Sequence, residues 1–411
     1  MKKFIFLIVP ALLFCDDLKS LLEFAKSSNN IITASKISKQ SKLQEVQSSK
    51  SAYYPTIDAG AFYQRYDERS AFMSGTTYGA FAKVGVDLYD GGKKSNTLKQ
   101  KKYELSSSDY RYKDTAKSIS LAIVQDFYNL KSLKSSLEAR EEASKAVKAQ
   151  LDRMQKFYDV KMATSDDVDR LQSAYDKNIY MIESLKFKIL SLKKALELKV
   201  GKEIGKLDDS KFKQPSGEAG DELDRIKALR ASKNSMLSAS ETIDSYYYPQ
   251  IRVEDTYSFY GYEDKPTMNG MAIEQLDKQN KLMATLNLRL VDFGAISEKK
   301  EAVKLEAKAL NEQIIYQNKE QKMQQELAKA RIKTASLNIK SSKSALKASK
   351  SALKTITEKY NAGIVDNVVY LDALSSQTEA KATYEKSLND IEVAYAIYYY
   401  YNAKNLEEYL K

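Results

Sequence analysis

The sequence predicts a mainly α chain, internally duplicated, that contributes strands to a membrane β-barrel. Three observations predict this. The phrase "SAYYPTIDAG" at 51–60 returns as "SYYYPQIRVE" at 245–254, so Ser51, Tyr53, Tyr54, Pro55 and Ile57 recur as Ser245, Tyr247, Tyr248, Pro249 and Ile251. Short segments in each half alternate apolar and polar residues at period two, the mark of a strand with one greasy and one wet face. Long stretches carry no breaker, and 411 residues include only 14 Gly and 5 Pro, a composition that favours long helices.

The repeat runs beyond that phrase. The offset is 194 at the Tyr-Tyr-Pro phrase and 202 further on, where Asp90 of "LYDGG" matches Asp292 of "VDFG" and Tyr158 matches Tyr360. The second copy therefore has 8 additional residues between Pro249 and Asp292. Insertions concentrate in exposed loops, so hairpin tips are expected to be exposed and the long helices constrained in length. Each half reads as helix, strand, strand, long helix, helix.

Taken in order, "MKKFIFLIVPALLFC" (1–15) has two lysines before the apolar run Phe4–Phe14, an export-signal pattern too short to span a bilayer. Cys15, the only cysteine, is either a lipid-bearing N-terminus or is lost by cleavage after it. Phe14 is larger than the small residue a lipidation signal prefers, which favours cleavage. The first repeat (16–200) has strands at about 55–67 and 78–90 and long helices at about 94–158 and 165–200. A linker or equatorial segment follows at 201–221. The second repeat (222–401) has strands at about 249–262 and 281–293 and long helices at about 295–360 and 366–401. Residues 402–411 form a short C-terminal tail.

Ala82, Val84, Val86 and Leu88 alternate with Lys83, Gly85, Asp87 and Tyr89; Leu282, Ala284, Leu286, Leu288 and Leu290 behave likewise. Pro55 and Pro249 stop the preceding helix, because proline disfavours helical geometry in the residue before it. The tyrosines beside them, Tyr53, Tyr54, Tyr247 and Tyr248, suit either core filling or an aromatic girdle at a membrane–water boundary; their repetition favours the girdle. Residues 94–158 contain no Pro or Gly, and as one helix would reach roughly 95 Å. Such a helix must lie against others of like length. Ile182, Leu185, Ile189, Leu192 and Leu196, and again Tyr384, Leu388, Ile391, Tyr395 and Tyr398, run at the 3-4 spacing of a coiled-coil seam. Four strands cannot close a barrel around a pore, and an open sheet edge is untenable in lipid. Three copies supply twelve strands, an acceptable barrel number, so a homotrimer is expected.

Composition removes several function classes. With no histidine and one cysteine, zinc sites, His-based general-base catalysis and His-containing triads are excluded. Carboxylate chemistry stays formally open, but no convergent constellation of acids is visible, so the expectation is no enzyme and no cofactor. The net charge of +11 comes from lysines spread among glutamates. That is the pattern of solvated helix faces; no nucleic-acid module is present.

The element order, the "YYP" strand starts, the "LYDGG" strand exit and the Tyr-x-x-Gly helical turn resemble the TolC-like outer-membrane efflux channels. The resemblance covers nearly all of the chain after residue 15. It implies a homotrimer in the Gram-negative outer membrane, with a twelve-stranded barrel in lipid and an α-helical tunnel across the periplasm. It also implies a periplasmic adaptor and an inner-membrane efflux transporter as partners, and a passive exit duct for drugs or other small molecules. In that family, polar contacts at the two helical turns hold the tunnel closed. By resemblance the gate tyrosine is Tyr360, three residues before the turn glycine Gly363, and its acidic partner falls on Asp167, which alternatively caps its own helix with Thr164. An arginine of the family latch is Val365 here. Of two constriction aspartates, Asp372 matches and Val369 replaces the other. The 202 offset adds a pair of its own, Arg170 corresponding to Asp372, expected as an ion pair between neighbouring coils. Two alternatives stand beside the efflux duct. One is a periplasmic coiled-coil adaptor or scaffold, although adaptors usually carry Gly- and Pro-rich β domains that this chain lacks. The other is a channel for type I protein secretion.

Overall fold

The computed structural model describes residues 17–67, 72–217, 220–268 and 270–411. The export-signal reading of 1–15, Cys15 included, lies outside the described residues. The elements run α1 (Leu18–Ser28), α2 (Asn30–Ser51), β1 (Thr56–Arg65), β2 (Thr76–Tyr89), α3 (Lys93–Asp159), α4 (Ser165–Val200), α5 (Asp224–Asp244), β3 (Gln250–Glu263), β4 (Thr267–Met268), β5 (Met271–Ala272), β6 (Lys278–Asn287), α6 (Ala295–Asn361) and α7 (Asn367–Tyr401). One-turn 3-10 segments lie at Ser245–Tyr247 and Leu406–Tyr409. The chain is thus mainly α with one principal sheet. The unit of helix, hairpin, long helix, helix occurs twice, and α3 and α6 are both 67 residues long.

The chain divides into two compact units. One comprises Met1–Lys36, Arg111–Arg225 and Gln317–Lys411; the other comprises Ile37–Tyr110 and Ile226–Tyr316. The first is helical. Its main core joins Leu18, Leu21 and Leu22 of α1, Ile123, Val124, Phe127 and Tyr128 of α3, Leu196 and Val200 of α4, and Ala396, Ile397 and Tyr399 of α7. The segment after α4 and the C-terminal tail close over this core together. Phe212 bridges Leu410, the Lys213 N–H donates to Tyr409 O at 2.8 Å, and the Tyr399 and Tyr409 rings stack at 4.0 Å. The buried Tyr128 hydroxyl donates to Ser210 O at 2.8 Å. Of the seam residues, Ile182, Leu196, Ile391 and Tyr398 are buried and Leu185, Ile189, Leu192, Tyr384, Leu388 and Tyr395 half-buried, as a coiled-coil stripe requires.

The second unit carries an antiparallel four-stranded sheet in the order β1-β2-β3-β6. The two hairpins share one register: Thr56 pairs with Gly85, and Gln250 with Asn287. The extra residues of the second copy lie at its hairpin tip, where β4 and β5 form a two-pair ribbon. Although the alternation in sequence runs on to Leu290, β6 ends at Asn287. Its partner β3 begins at Gln250, so among the described residues no strand lies beside 288–291.

Each hairpin turns into its long helix through the same elbow. Asp90 accepts from the N–H groups of Gly92 (3.0 Å) and Lys94 (2.7 Å), and Asp292 from those of Gly294 (3.1 Å) and Ile296 (2.9 Å). The carboxylate satisfies helix-start donors that have no intrahelical partner.

Candidate functional site

Two regions set what this chain can do: the helical turns α3–α4 and α6–α7, and the sheet. At the second turn α6 ends in a Schellman arrangement. The Gly363 N–H donates to Tyr360 O at 3.0 Å and the Ile364 N–H to Lys359 O at 2.9 Å, with Gly363 at φ +74°. The first turn repeats this with Lys161 in the glycine's place, at φ +61°, its N–H on Tyr158 O and the Met162 N–H on Phe157 O. Beyond the turns, α4 starts with a Thr164–Asp167 capping box and α7 with Asp366 accepting the Val369 N–H.

The side chains at these turns meet in a small cluster. Tyr360 stacks on Tyr370, ring centroids 5.0 Å apart, beside Val147 and Leu374. The Asp167 carboxylate does two things. One oxygen accepts from Thr164, and the other accepts from Asn367 Nδ2 at 3.1 Å, tying the start of α4 to the start of α7. Burial raises the Tyr360 hydroxyl above the ordinary tyrosine value; the Asp167 charge adds to this and Arg153 opposes it. Arg153 also donates to Asn361 at 2.9 Å, joining α3 to the end of α6. Tyr370 and Asn367 were not singled out from sequence. Their counterparts at the 202 offset are Val168 and Ser165, so the duplication gave no signal for them.

Arg170 and Asp372 are not joined within the chain. Arg170 pairs with Asp166 on its own helix at 2.9 Å, the i,i+4 spacing that puts two side chains on one face. Exposed Asp372 instead lines a cavity of about 250 Å³ with Arg140, Lys177 and Asn178. Val369 is exposed and Val365 half-buried.

The sheet has two chemically distinct faces. One carries a charge network: Arg252 reaches Asp87 at 2.8 Å and Glu254 at 3.0 Å, while Lys83 lies 3.6 Å from Glu254 and Lys94 3.0 Å from Asp87. The other presents Ile57, Val84, Leu88, Leu282 and Leu286 to the outside, Ile57 at 78% and Leu282 at 75% exposure. Asp255, opposite Val84 and Leu282, interrupts that face, and Arg65, Glu263 and Lys278 share it toward the hairpin tips. Tyr53, Tyr54, Tyr247 and Tyr248 lie just before β1 and β3 and are all exposed. Among the described residues both outer strands, β1 and β6, have a free edge. Among the described residues no helix is long and apolar enough to cross a membrane.

The chain thus combines a duplicated unit, a two-faced four-stranded sheet and paired long helices. Residues 21–178 match the profile of the family described as outer membrane efflux protein. No curated protein matches by sequence. Among solved structures, the chain is similar to the outer membrane protein VceC of Vibrio cholerae, with 13% identity, TM-score 0.79, and 95% of this chain and 96% of that chain covered. It is also similar to the CmeC outer membrane channel of Campylobacter jejuni (13% identity, TM-score 0.83, 95% and 86% covered). A membrane protein of Pseudomonas aeruginosa gives 15% identity, TM-score 0.80 and coverage of 94% and 93%. The family match covers residues 21–178, and the fold shared with these solved structures extends over nearly the whole chain.

Proposed function

We propose that the protein is the passive outer-membrane duct of a tripartite exporter, working as a homotrimer with a periplasmic adaptor and an inner-membrane efflux transporter. Drugs or other small molecules are its cargo. The observation that carries this reading is the four-stranded sheet with two free edges and an exposed apolar face. Unpaired strand edges have no place in hydrocarbon, and three such sheets complete a twelve-stranded wall. The exposed Tyr53, Tyr54, Tyr247 and Tyr248 then supply the aromatic girdle. Exposed apolar side chains on the helices agree with assembly: Tyr180 and Phe187 of α4 and Leu337 of α6 are each exposed in the single chain. A water-soluble adaptor or scaffold would leave the sheet's apolar face in water. A channel for type I protein secretion would share the architecture and differ in its pump.

In this reading the helical turns are the gate. Tyr360, Asp167 and Gly363 shape its rim, and Arg170 and Asp372 supply charges for contacts between copies. The test is twofold. Outer-membrane fractions should contain a trimer that heat dissociates, and the purified trimer should open stepwise conductances in planar bilayers, larger in Asp372→Ala or Arg170→Ala. Recovery as a soluble periplasmic monomer would exclude the duct. Conductance unchanged in both variants would remove Arg170 and Asp372 from the gate.

A further inference from the structure

The duplication prescribes more than the number of strands. Adding 194 to a residue of β1 gives its equivalent in β3, and adding 202 to a residue of β2 gives its equivalent in β6; Thr56↔Gly85 becomes Gln250↔Asn287 in this way. Between the hairpins, β2 pairs with β3 through Gly85↔Glu254, Val86↔Val253 and Asp87↔Arg252. The free edges β6 and β1 are the repeat equivalents of β2 and β3. We infer that β6 of one copy pairs with β1 of a second copy in the register that places Arg289 opposite Asp58, Leu288 opposite Ala59 and Asn287 opposite Gly60. This rests on the barrel reading above and adds the seam's register and chemistry.

Charge supports this register. Within the chain, the β2–β3 seam holds an acid on one strand, Asp87, and a cation on the other, Arg252, 2.8 Å apart. At the equivalent positions between copies, the cation stands where the acid was (Arg289) and the acid where the cation was (Asp58). The ion pair survives with its sign exchanged. Its surroundings are exchanged with it. The Arg252 guanidinium lies over Gly85, where an added Cβ would be 2.6 Å from Nη2, and it bonds Glu254 two residues along its own strand. Across the proposed seam, glycine again sits two residues from the acid (Gly60), and an acceptor two residues from the arginine (Asn287). Arg289 and Asp58 are both exposed in the single chain. Lys83, which faces Asp58 across β1–β2, lies 3.6 Å from Glu254.

Slippage breaks the arrangement. A shift of one residue turns every side chain to the wrong face, and a shift of two puts Arg289 opposite Thr56 or Gly60. The equivalence stops at the elbow. A Cβ at Gly91 would lie 2.6 Å from Ser245 O, and its counterpart Phe293 has a ring to place, so the proposal covers 283–291 against 57–64.

Cysteine pairs in the full-length chain, oxidised mildly in outer-membrane fractions, test the register. Arg289→Cys with Asp58→Cys, and Met283→Cys with Gln64→Cys, should give dimer and trimer bands on non-reducing gels; each single variant controls for Cys15. The slipped pairs Arg289→Cys with Thr56→Cys and Thr285→Cys with Gln64→Cys should give none. Arg289→Asp alone and Asp58→Arg alone should each reduce the heat-resistant trimer, and the two together should restore it. Crosslinks in a slipped pair, or a trimer indifferent to both charge reversals, would overturn the register while leaving the barrel intact. A chain that forms neither crosslinks nor trimer in the membrane would overturn the barrel reading and this seam with it.

Discussion

Lys161 and Gly363 hold the same left-handed backbone conformation at equivalent turns, with φ of 61° and 74°. A side chain with Cβ is disfavoured there by about 1–2 kcal/mol, so the two turns carry unequal strain for one geometry. A Cβ at Gly363 meets nothing within 4 Å; the cost of Gly363→Ala is therefore conformational, about 1 kcal/mol. Lys161→Gly should stabilise by up to a similar amount. Opposite shifts in the urea midpoint of the detergent-solubilised protein would check both. Glu392 offers a test by pH. Burial raises its carboxyl above the ordinary value of 4.5, with the Phe212 N–H bond and the Lys211, Lys411 and Lys131 charges opposing the rise. The folded chain thus binds this proton more tightly than the unfolded one. The contribution is fully present below about pH 4.5 and is lost as pH climbs through the raised folded value. Glu392→Gln keeps an acceptor for the Phe212 N–H, which now bonds Glu392 at 2.7 Å, and should raise the melting temperature at pH 7 while leaving it unchanged at pH 4.

At the scale of elements, the elbow shows what the sequence discloses. Asp90 and Asp292 were visible as a repeated aspartate, and each caps its helix with two backbone bonds. Asp292→Ala should cost about 1 kcal/mol, and Asp90→Ala the same, read as equal drops in melting temperature. The duplicated unit, the hairpins and the unbroken long helices were legible because period two, period 3.6 and the lack of Gly and Pro are local properties of the chain. The end of β6 was not, because pairing beyond Asn287 requires a strand that this chain does not supply. Neither was the Tyr360–Tyr370 stack. It depends on how α6 and α7 return against each other after the turn, and the repeat partner of Tyr370 is a valine. The turn at Lys161 was legible only through the repeat, from Tyr158 standing where Tyr360 does, since lysine itself gives no hint of positive φ.

For the whole molecule, the decisive property is that neighbouring residues of one strand lie on chemically different faces. Ala82 and Lys83 are consecutive on β2. Ala82 lies on the face of Val84 and Leu88, whereas Lys83 points to the charge network beside Glu254. If the apolar face meets lipid, an arginine at Ala82 costs about 2–4 kcal/mol near the bilayer midplane, repeated in every copy of the assembly. Ala82→Arg should therefore deplete the protein from the outer membrane, visible as loss of the heat-dissociable trimer. A charge at Lys83 is already tolerated, so Lys83→Ala should leave insertion unchanged. Its effect should appear in conduction, because removing a fixed cation from the lumen-facing network shifts reversal potentials toward greater cation preference. Equal tolerance of both substitutions would mean that the two faces meet the same solvent, and a sheet wetted on both sides is not the wall of a membrane duct.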